Sequence, residues 1–369
     1  MSRRGRGEGS IYKRPDGLWV AQVSIGWKPG GKRVRKSIYG KSRTEVRTKL
    51  LVVQRDKDAG FNIRSNDQLT LGAYLERWLE ATGPSVRPRT LVMYALHVRR
   101  HIVPELGARR LVDLTADDVQ IFLNRKLAML APKSVSHLRS TLRGALNQAV
   151  EWGYLSRNVV TKTKPPKLSP RQLRVLDQDE AKRLLLAAQG DRVEALYTVA
   201  LAMGLRLGEA LGLRWEDVDF GTGRLHVRHG LQRIAGELTL TDPKTALSNR
   251  SIKMPGMVAR GLADHRARQH VVGIVSPYVF TTFRGTPIDP RNALREFKTL
   301  LGKAGLPQTI RFHDLRHSCA SLLLAKGVNV KVIAELLGHS NATMLLSTYA
   351  HVLPQMRDSA ALEMDEVLG

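Results

Sequence analysis

Apolar positions recur at two periods along this chain, and the change of period divides it. Near the start the period is two: Trp19, Ala21, Val23 and Ile25 fall on one side of an extended segment. Residues 10–14 read as a strand before it and residues 32–39 as a strand after it. Pro15-Asp16-Gly17 and Pro29-Gly30-Gly31 supply the turn chemistry between them. Ser42 then caps a helix expected to run to about residue 59.

From residue 70 the period lengthens to that of a helix. Thr70 caps a helix through residue 81 with Leu71, Tyr74, Leu75, Trp78 and Leu79 on one face. Residues 88–101 form a second helix, and Thr115 with Asp118 opens a third in a capping-box pattern. Residues 132–152 form a fourth, turning Val135, Leu138, Leu142, Leu146 and Val150 inward. Arg99, Arg100, Arg109, Arg110, Arg139 and Arg143 then face mostly outward. Residues 161–174 are rich in Pro, Lys and Arg and read as a linker.

A last domain begins at about residue 175. Asp177 and Glu180 open its first helix, and a second covers residues 193–203. Residues 224–228 and 237–240 read as the two strands of a hairpin. Helices follow near 256–272, 290–304, 314–326, 329–337 and 341–350. The pattern therefore predicts a multidomain, mainly α chain: a small three-stranded β-sheet plus helix over 1–64, a four-helix domain over 65–160, the linker, and a mixed, mainly α domain with a small β-hairpin sheet over 175–369.

Charge narrows the function. The formal net charge of +26 repels itself in a compact fold unless an anionic partner offsets it. Nucleic acid is the partner that such a surplus suits, because neutralised phosphates release condensed counterions. The first 64 residues hold about twelve more positive than negative charges, nearly half the surplus. A three-stranded sheet with basic edges suits a DNA groove. One cysteine, Cys319, allows no disulfide within the chain and fits a reducing cytoplasm; it is expected to be a small buried residue. No apolar signal core follows the basic start, and no apolar run is long enough to cross a bilayer.

Two motifs mislead. Gly26 to Lys32 fits the spacing of a phosphate-binding loop, but Arg33 stands where a magnesium-contacting hydroxyl is needed, and the glycines lie between two strands. They read as a hairpin turn. His313 and His317 have the spacing of a zinc pair, but Asp314 replaces the glutamate and no third ligand is evident.

The remaining candidates are individually modest. Arg206 stands at a helix start in Gly204-Leu205-Arg206-Leu207-Gly208-Glu209, where free N–H groups also favour an anion. Glu209 buttresses the same turn; an ion pair at a helix start explains the pair as well. Lys244 follows the second hairpin strand in Pro243-Lys244-Thr245. His313-Asp314-Leu315-Arg316-His317 opens an apolar helix on which His313 and Arg316 share a face. Gly338 ends the next helix before His339, and Tyr349 follows in Ser347-Thr348-Tyr349-Ala350-His351.

Taken in order, G-L-R-x-G-E, H-x-L-R-H and L-G-H with its spaced tyrosine resemble the active site of the tyrosine recombinases, or phage integrase family. The resemblance is strongest from residue 175 onward and extends more weakly to the two earlier modules, which resemble that family's arm-site-binding (1–64) and core-site-binding (65–160) domains. Met203 departs from the Thr or Ser more usual there and leaves Arg206 in register.

The resemblance implies a site-specific recombinase of a phage or other mobile element, acting on double-stranded DNA attachment sites as a homotetramer, with a possible accessory directionality or bending factor and no membrane. Arg206 and Arg316 would bind the non-bridging oxygens of the scissile phosphate, a task suited to the planar, always charged guanidinium. Tyr349 would attack phosphorus, forming a 3′-phosphotyrosyl link, with His313 in acid–base work. Lys244 would protonate the leaving 5′-oxygen, His339 would hydrogen-bond the phosphate, and Glu209 would support Arg206. The resemblance implies no cofactor, metal or nucleotide. A non-catalytic DNA-binding regulator and a type IB topoisomerase-like relaxing enzyme are the alternatives; a metal nuclease is a third.

Overall fold

The computed structural model describes residues 10–27, 33–58, 68–169, 174–242, 249–338 and 368. The chain divides into two compact units, Met1–Pro170 and Arg171–Gly369.

The first unit opens with strands β1 (Ser10–Lys13), β2 (Trp19–Trp27) and β3 (Arg33–Gly40), antiparallel and in that order, followed by helix α1 (Arg43–Asp58). Gly17 turns β1 into β2 with a φ of 87°, a conformation glycine takes without a Cβ clash. Ala21, Val23 and Ile38 pack with Val46 and Leu50 of α1, as the period-two pattern requires. The other face carries Tyr12 and Tyr39 in one row with Val20 between them; both tyrosines are exposed. Gly26 lies in β2 opposite Val34, as a strand residue; the Pro29–Gly31 turn lies outside the described residues. The Ser42 hydroxyl accepts from the Glu45 N–H at 3.1 Å, the cap expected for α1.

Helices α2 (Leu71–Thr82), α3 (Pro88–His97), α4 (Val103–Leu106), α5 (Ala116–Leu127) and α6 (Pro132–Glu151) follow in the same unit. The second helix outruns its expected end, because a π-helical turn, Val98–Ile102, carries α3 into α4. That wider turn brings both Val98 and Ile102 fully into the core. Thr70 caps α2, and Thr115 with Asp118 forms the capping box of α5. On α6 it is Ala149 that is buried, with Val150 only partly so. Arg139 does not face outward as expected: it is half-buried and donates to the Thr163 hydroxyl at 2.9 Å and to the carbonyls of Val160 and Thr163 at 3.1 and 2.9 Å. The start of the Pro- and Lys-rich stretch is thereby fastened to α6.

The second unit is built on α7 (Gln178–Ala187), α8 (Glu194–Ala202) and α9 (Leu207–Leu211). Strands β4 (Val218–Asp219), β5 (Arg224–Val227), β6 (Gly230–Ile234), β7 (Glu237–Thr241) and β8 (Arg250–Lys253) come next. Helices α10 (Gly256–Val271), α11 (Pro290–Lys303), α12 (Phe312–Ala325) and α13 (Val330–Leu337) complete the described elements. The expected hairpin of residues 224–228 with 237–240 does not form. β5 sits between β4 and β8, whereas β7 pairs with β6 through an Ala235-Gly236 turn, both residues at positive φ. The missing strand is β6, whose burial does not alternate and so left no period-two signal. The core gathers on α8, where Tyr197 packs against Phe297 of α11 and Phe312 of α12. Among the described residues no helix is long and apolar enough to cross a membrane.

Candidate active site

Three segments of the second unit meet at the Gly204–Glu209 turn. The first is the turn between α8 and α9. Gly204 leaves α8 at a φ of 63°, and a Cβ there would lie 2.3 Å from Leu337 Cδ2, so only glycine fits this turn. Arg206 then caps α9: its N–H donates to Glu209 Oε2 at 3.0 Å and its Nη1 to Oε1 at 2.5 Å. About a third of the Arg206 side chain stays open, at 37%, so the guanidinium can still meet a ligand.

The second segment is the start of α12. Arg311 caps it, its N–H and guanidinium both bonded to the Asp314 carboxylate. Burial pushes the Asp314 carboxyl up, but these bonds outweigh it and hold the group below its usual range. One turn into the helix Arg316 is almost wholly enclosed, at 2% exposure. Its Nη1 donates to the Gly204 carbonyl at 2.7 Å and its Nη2 to the Leu337 carbonyl. Arg316 thus joins α12 to the Arg206 turn and to the end of α13.

His313 keeps an open face, yet its ring lies among cations and stacks edge-on to His317 with centroids 5.0 Å apart. Burial, then His317, Arg316, Arg206 and Arg311 in turn, push its pKa down to about 4. The imidazole is therefore neutral at pH 7, the form that can accept a proton. His317 is also depressed by burial, against the opposing pull of Asp314. Among the described residues no group of three or more His, Cys, Asp or Glu side chains gathers as a metal site.

The third segment supplies a residue that the sequence reading missed. Arg250, at the start of β8, donates from Nη2 to Glu209 Oε2 at 3.0 Å and from Nε to the Leu336 carbonyl at 2.7 Å. Its signal was present: Arg250 falls in phase with the buried Ile252 and Met254, on the inward side of the strand. Burial raises the Glu209 pKa, but Arg250 and then Arg206 more than offset this, and the carboxyl stays below its ordinary value.

The structure therefore brings Arg206, Glu209, His313 and Arg316 together. Gly338 ends α13 in the left-handed conformation, as expected, at a φ of 65°. Lys244, His339 and Tyr349, and the helix expected over 341–350, lie outside the described residues. Cys319 is buried against the Ala202 carbonyl, as expected of a small core residue.

Comparison with known proteins agrees with this frame. Residues 174–356 match the phage integrase family, and residues 70–127 match its N-terminal SAM-like domain. The chain is 32% identical to a tyrosine recombinase XerC-like protein of Caldanaerobacter subterraneus, over 94% of this chain and 95% of the relative. Among solved structures, the Tn1549 transposon integrase in complex with a circular intermediate DNA aligns at a TM-score of 0.68 and 23% identity, over 81% of this chain and 99% of that one. A lambda integrase tetramer bound to a Holliday junction aligns at 0.59 and 22%, over 90% and 96%. The chain belongs to the phage integrase family of tyrosine recombinases. It is an enzyme that cleaves and rejoins DNA, a site-specific recombinase of the kind that mobile elements carry.

Proposed function

We propose that this recombinase is an integrase that exchanges DNA strands between two attachment sites through a 3′-phosphotyrosyl link at Tyr349. The observation that carries the reading is the convergence of Arg206, from the turn before α9, with His313 and Arg316 of α12, a neutral imidazole in the field of three guanidiniums, those of Arg316, Arg206 and Arg311. Such a group of fixed cations stabilises charge as it builds on the non-bridging oxygens of the scissile phosphate. A phenol ordinarily titrates near ~10 and must lose its proton to attack. His313, neutral at pH 7, takes that proton. As Tyr349 bonds to phosphorus, the bond to the 5′-oxygen breaks, and Lys244 donates the proton that makes it a 5′-hydroxyl. His339 hydrogen-bonds the phosphate. The phosphotyrosyl ester keeps the bond energy, so a 5′-hydroxyl of the partner duplex reverses the attack without metal or nucleotide.

The division of labour follows the domains. Residues 1–64 bind arm-type sites, residues 65–160 hold the core site, residues 161–174 link, and residues 175–369 carry the chemistry. Exchange between two duplexes needs four protomers, and the lambda integrase tetramer on a Holliday junction is a structural precedent for that assembly. An accessory factor setting direction, and a cytoplasmic setting, belong to the same reading. The test is a nicked suicide duplex carrying the attachment core, incubated in EDTA. The wild-type chain forms a covalent adduct on a denaturing gel. A reaction that yields free 5′-phosphates, or stops in EDTA, removes the reading.

A further inference from the structure

Arg250 has no role in the chemistry above, yet it occupies the junction between the groups that do. Its side chain is 7% exposed and opens β8, the strand that follows the Lys244 segment. Glu209 Oε2 accepts from Arg250 Nη2 and from the Arg206 N–H, each at 3.0 Å, while Oε1 accepts from Arg206 Nη1. One carboxylate is thus shared between an open arginine and a sealed one. The Nε of Arg250 reaches the carbonyl of Leu336, and Arg316 takes the carbonyl of Leu337 next to it. Two guanidiniums therefore grip successive carbonyls at the end of α13, and both lead back to the Gly204–Glu209 turn. These carbonyls belong to the last turn of a helix, where no intrahelical N–H reaches them and the dipole favours a cation.

We propose that Arg250 is a positioning residue for strand cleavage: by bridging Glu209 to the Leu336 carbonyl, it fixes the Arg206 guanidinium relative to the end of α13. The inference rests on the reading of Arg206 as a phosphate ligand. With Arg250 present, the negative charge of Glu209 is divided between two cations, and Arg206 keeps a share of its charge for the phosphate. Without it, Glu209 has Arg206 alone to satisfy it and draws that side chain back. The same loss releases the Leu336 carbonyl, two residues before Gly338 in the chain. Lysine is a poor substitute, because a single ammonium cannot span the two acceptors as the planar fork does.

The test uses the full-length chain and single-turnover cleavage of a nicked core duplex, beside non-covalent DNA affinity and thermal melting. Arg250→Met slows cleavage about 100-fold, the scale of losing one transition-state donor. Arg250→Lys slows it about 10-fold, and DNA affinity stays within about threefold for both. The decisive arm repeats the assay on a duplex whose scissile phosphate is a methylphosphonate, in which one non-bridging oxygen is already replaced by a neutral methyl. A misplaced Arg206 matters less there, so the penalty for either variant shrinks to about threefold or less. The inference is overturned if a folded variant cleaves at the wild-type rate, or if its penalty is equal on the two duplexes, which would make Arg250 a fold-holding residue only. Where Arg250→Met does not fold, Arg250→Lys carries both comparisons. Arg206→Ala runs alongside: if it cleaves normally, the phosphate-ligand reading of Arg206 falls, whereas normal cleavage by the Arg250 variants alone removes only this inference.

Discussion

Arg206 and Glu209 hold each other twice, by backbone N–H to Oε2 and by guanidinium to Oε1, within the first turn of α9. The pairing fixes a charged side chain at a helix start while leaving a third of it in the open. Because Oε2 also serves the buried Arg250, the carboxylate is the common support of two cations. The site's stability and its chemistry are therefore coupled through one residue.

Replacing Glu209 tests that coupling. Glu209→Ala leaves Arg250 enclosed without its counter-charge, which costs about 3–5 kcal/mol. Glu209→Gln keeps an acceptor oxygen and costs about 1–2 kcal/mol. Urea unfolding at neutral pH ranks the two. Since the folded carboxyl titrates below its ordinary value, its contribution is present above that value and is lost as the pH falls through the lowered one. The gap between wild type and Glu209→Gln narrows in acid; a constant gap would show that Glu209 is not the ionised partner.

Gly204→Ala combines two penalties. The alanine must adopt a φ of 63°, and its Cβ meets Leu337 Cδ2 at 2.3 Å. The strain alone is about 1–2 kcal/mol, and the displaced Leu337 carries the carbonyl that Arg316 holds. The variant is destabilised by about 2 kcal/mol or more and loses cleavage more than DNA affinity. Melting together with suicide-substrate cleavage checks this; a variant as stable as wild type contradicts the packing described.

His313 sets a pH signature. Its folded pKa of about 4 lies below the ordinary histidine value of 6.5. The unfolded chain therefore binds a proton at this residue across that window while the folded chain does not, and the associated stability is lost as pH falls from 6.5 to 4. By the same shift the acidic limb of kcat/KM for cleavage lies well below 6.5, since that ratio reports the free enzyme. Proton-resolved NMR titration of the His313 ring against His313→Gln is the direct check. A midpoint near 6.5 would refute the environment assigned to it.

The exposed face of the N-terminal sheet carries Arg35 opposite Ser24, in phase with Tyr39. Arg35→Ala is expected to weaken binding to arm-type DNA and to lower the salt slope by about 1, the yield of one phosphate contact. Cleavage of a core duplex lacking arm sites stays unchanged. Fluorescence anisotropy across a salt series measures the first, and equal loss of both activities would argue against a separate arm-binding face.

Much of this was legible in the sequence, and what was not has physical reasons. Trp19, Ala21 and Val23, and the caps at Thr70, Thr115 and Asp177, are local signals, and the helices and strand they predict are present. The association of Arg206 with Glu209 was readable because both lie within one helical turn. Strand pairing is not local: β6 shows no alternation, so the pattern alone points β7 to β5 and not to its true partner β6. The π-helical turn at Val98–Ile102 does have a local signal in Pro104, which lacks the N–H that would reach the Arg100 carbonyl one turn back. The acceptors that hold Arg139 and Arg250 lie in other segments, the Val160 and Thr163 carbonyls for the one and Glu209 with the Leu336 carbonyl for the other, so their partners are not readable from local pattern even though the phase of Arg250 with Ile252 is.

The assignment of Tyr349 as nucleophile is tested most directly by locating the covalent bond. Wild-type protein is trapped on a nicked suicide duplex in EDTA, digested, and the DNA-linked peptide is sequenced by mass spectrometry. The account predicts a single phosphotyrosyl peptide containing Ser347-Thr348-Tyr349 joined to a 3′-phosphate, and no adduct from Tyr349→Phe. A crosslink at another residue, or an adduct that survives Tyr349→Phe, would contradict it.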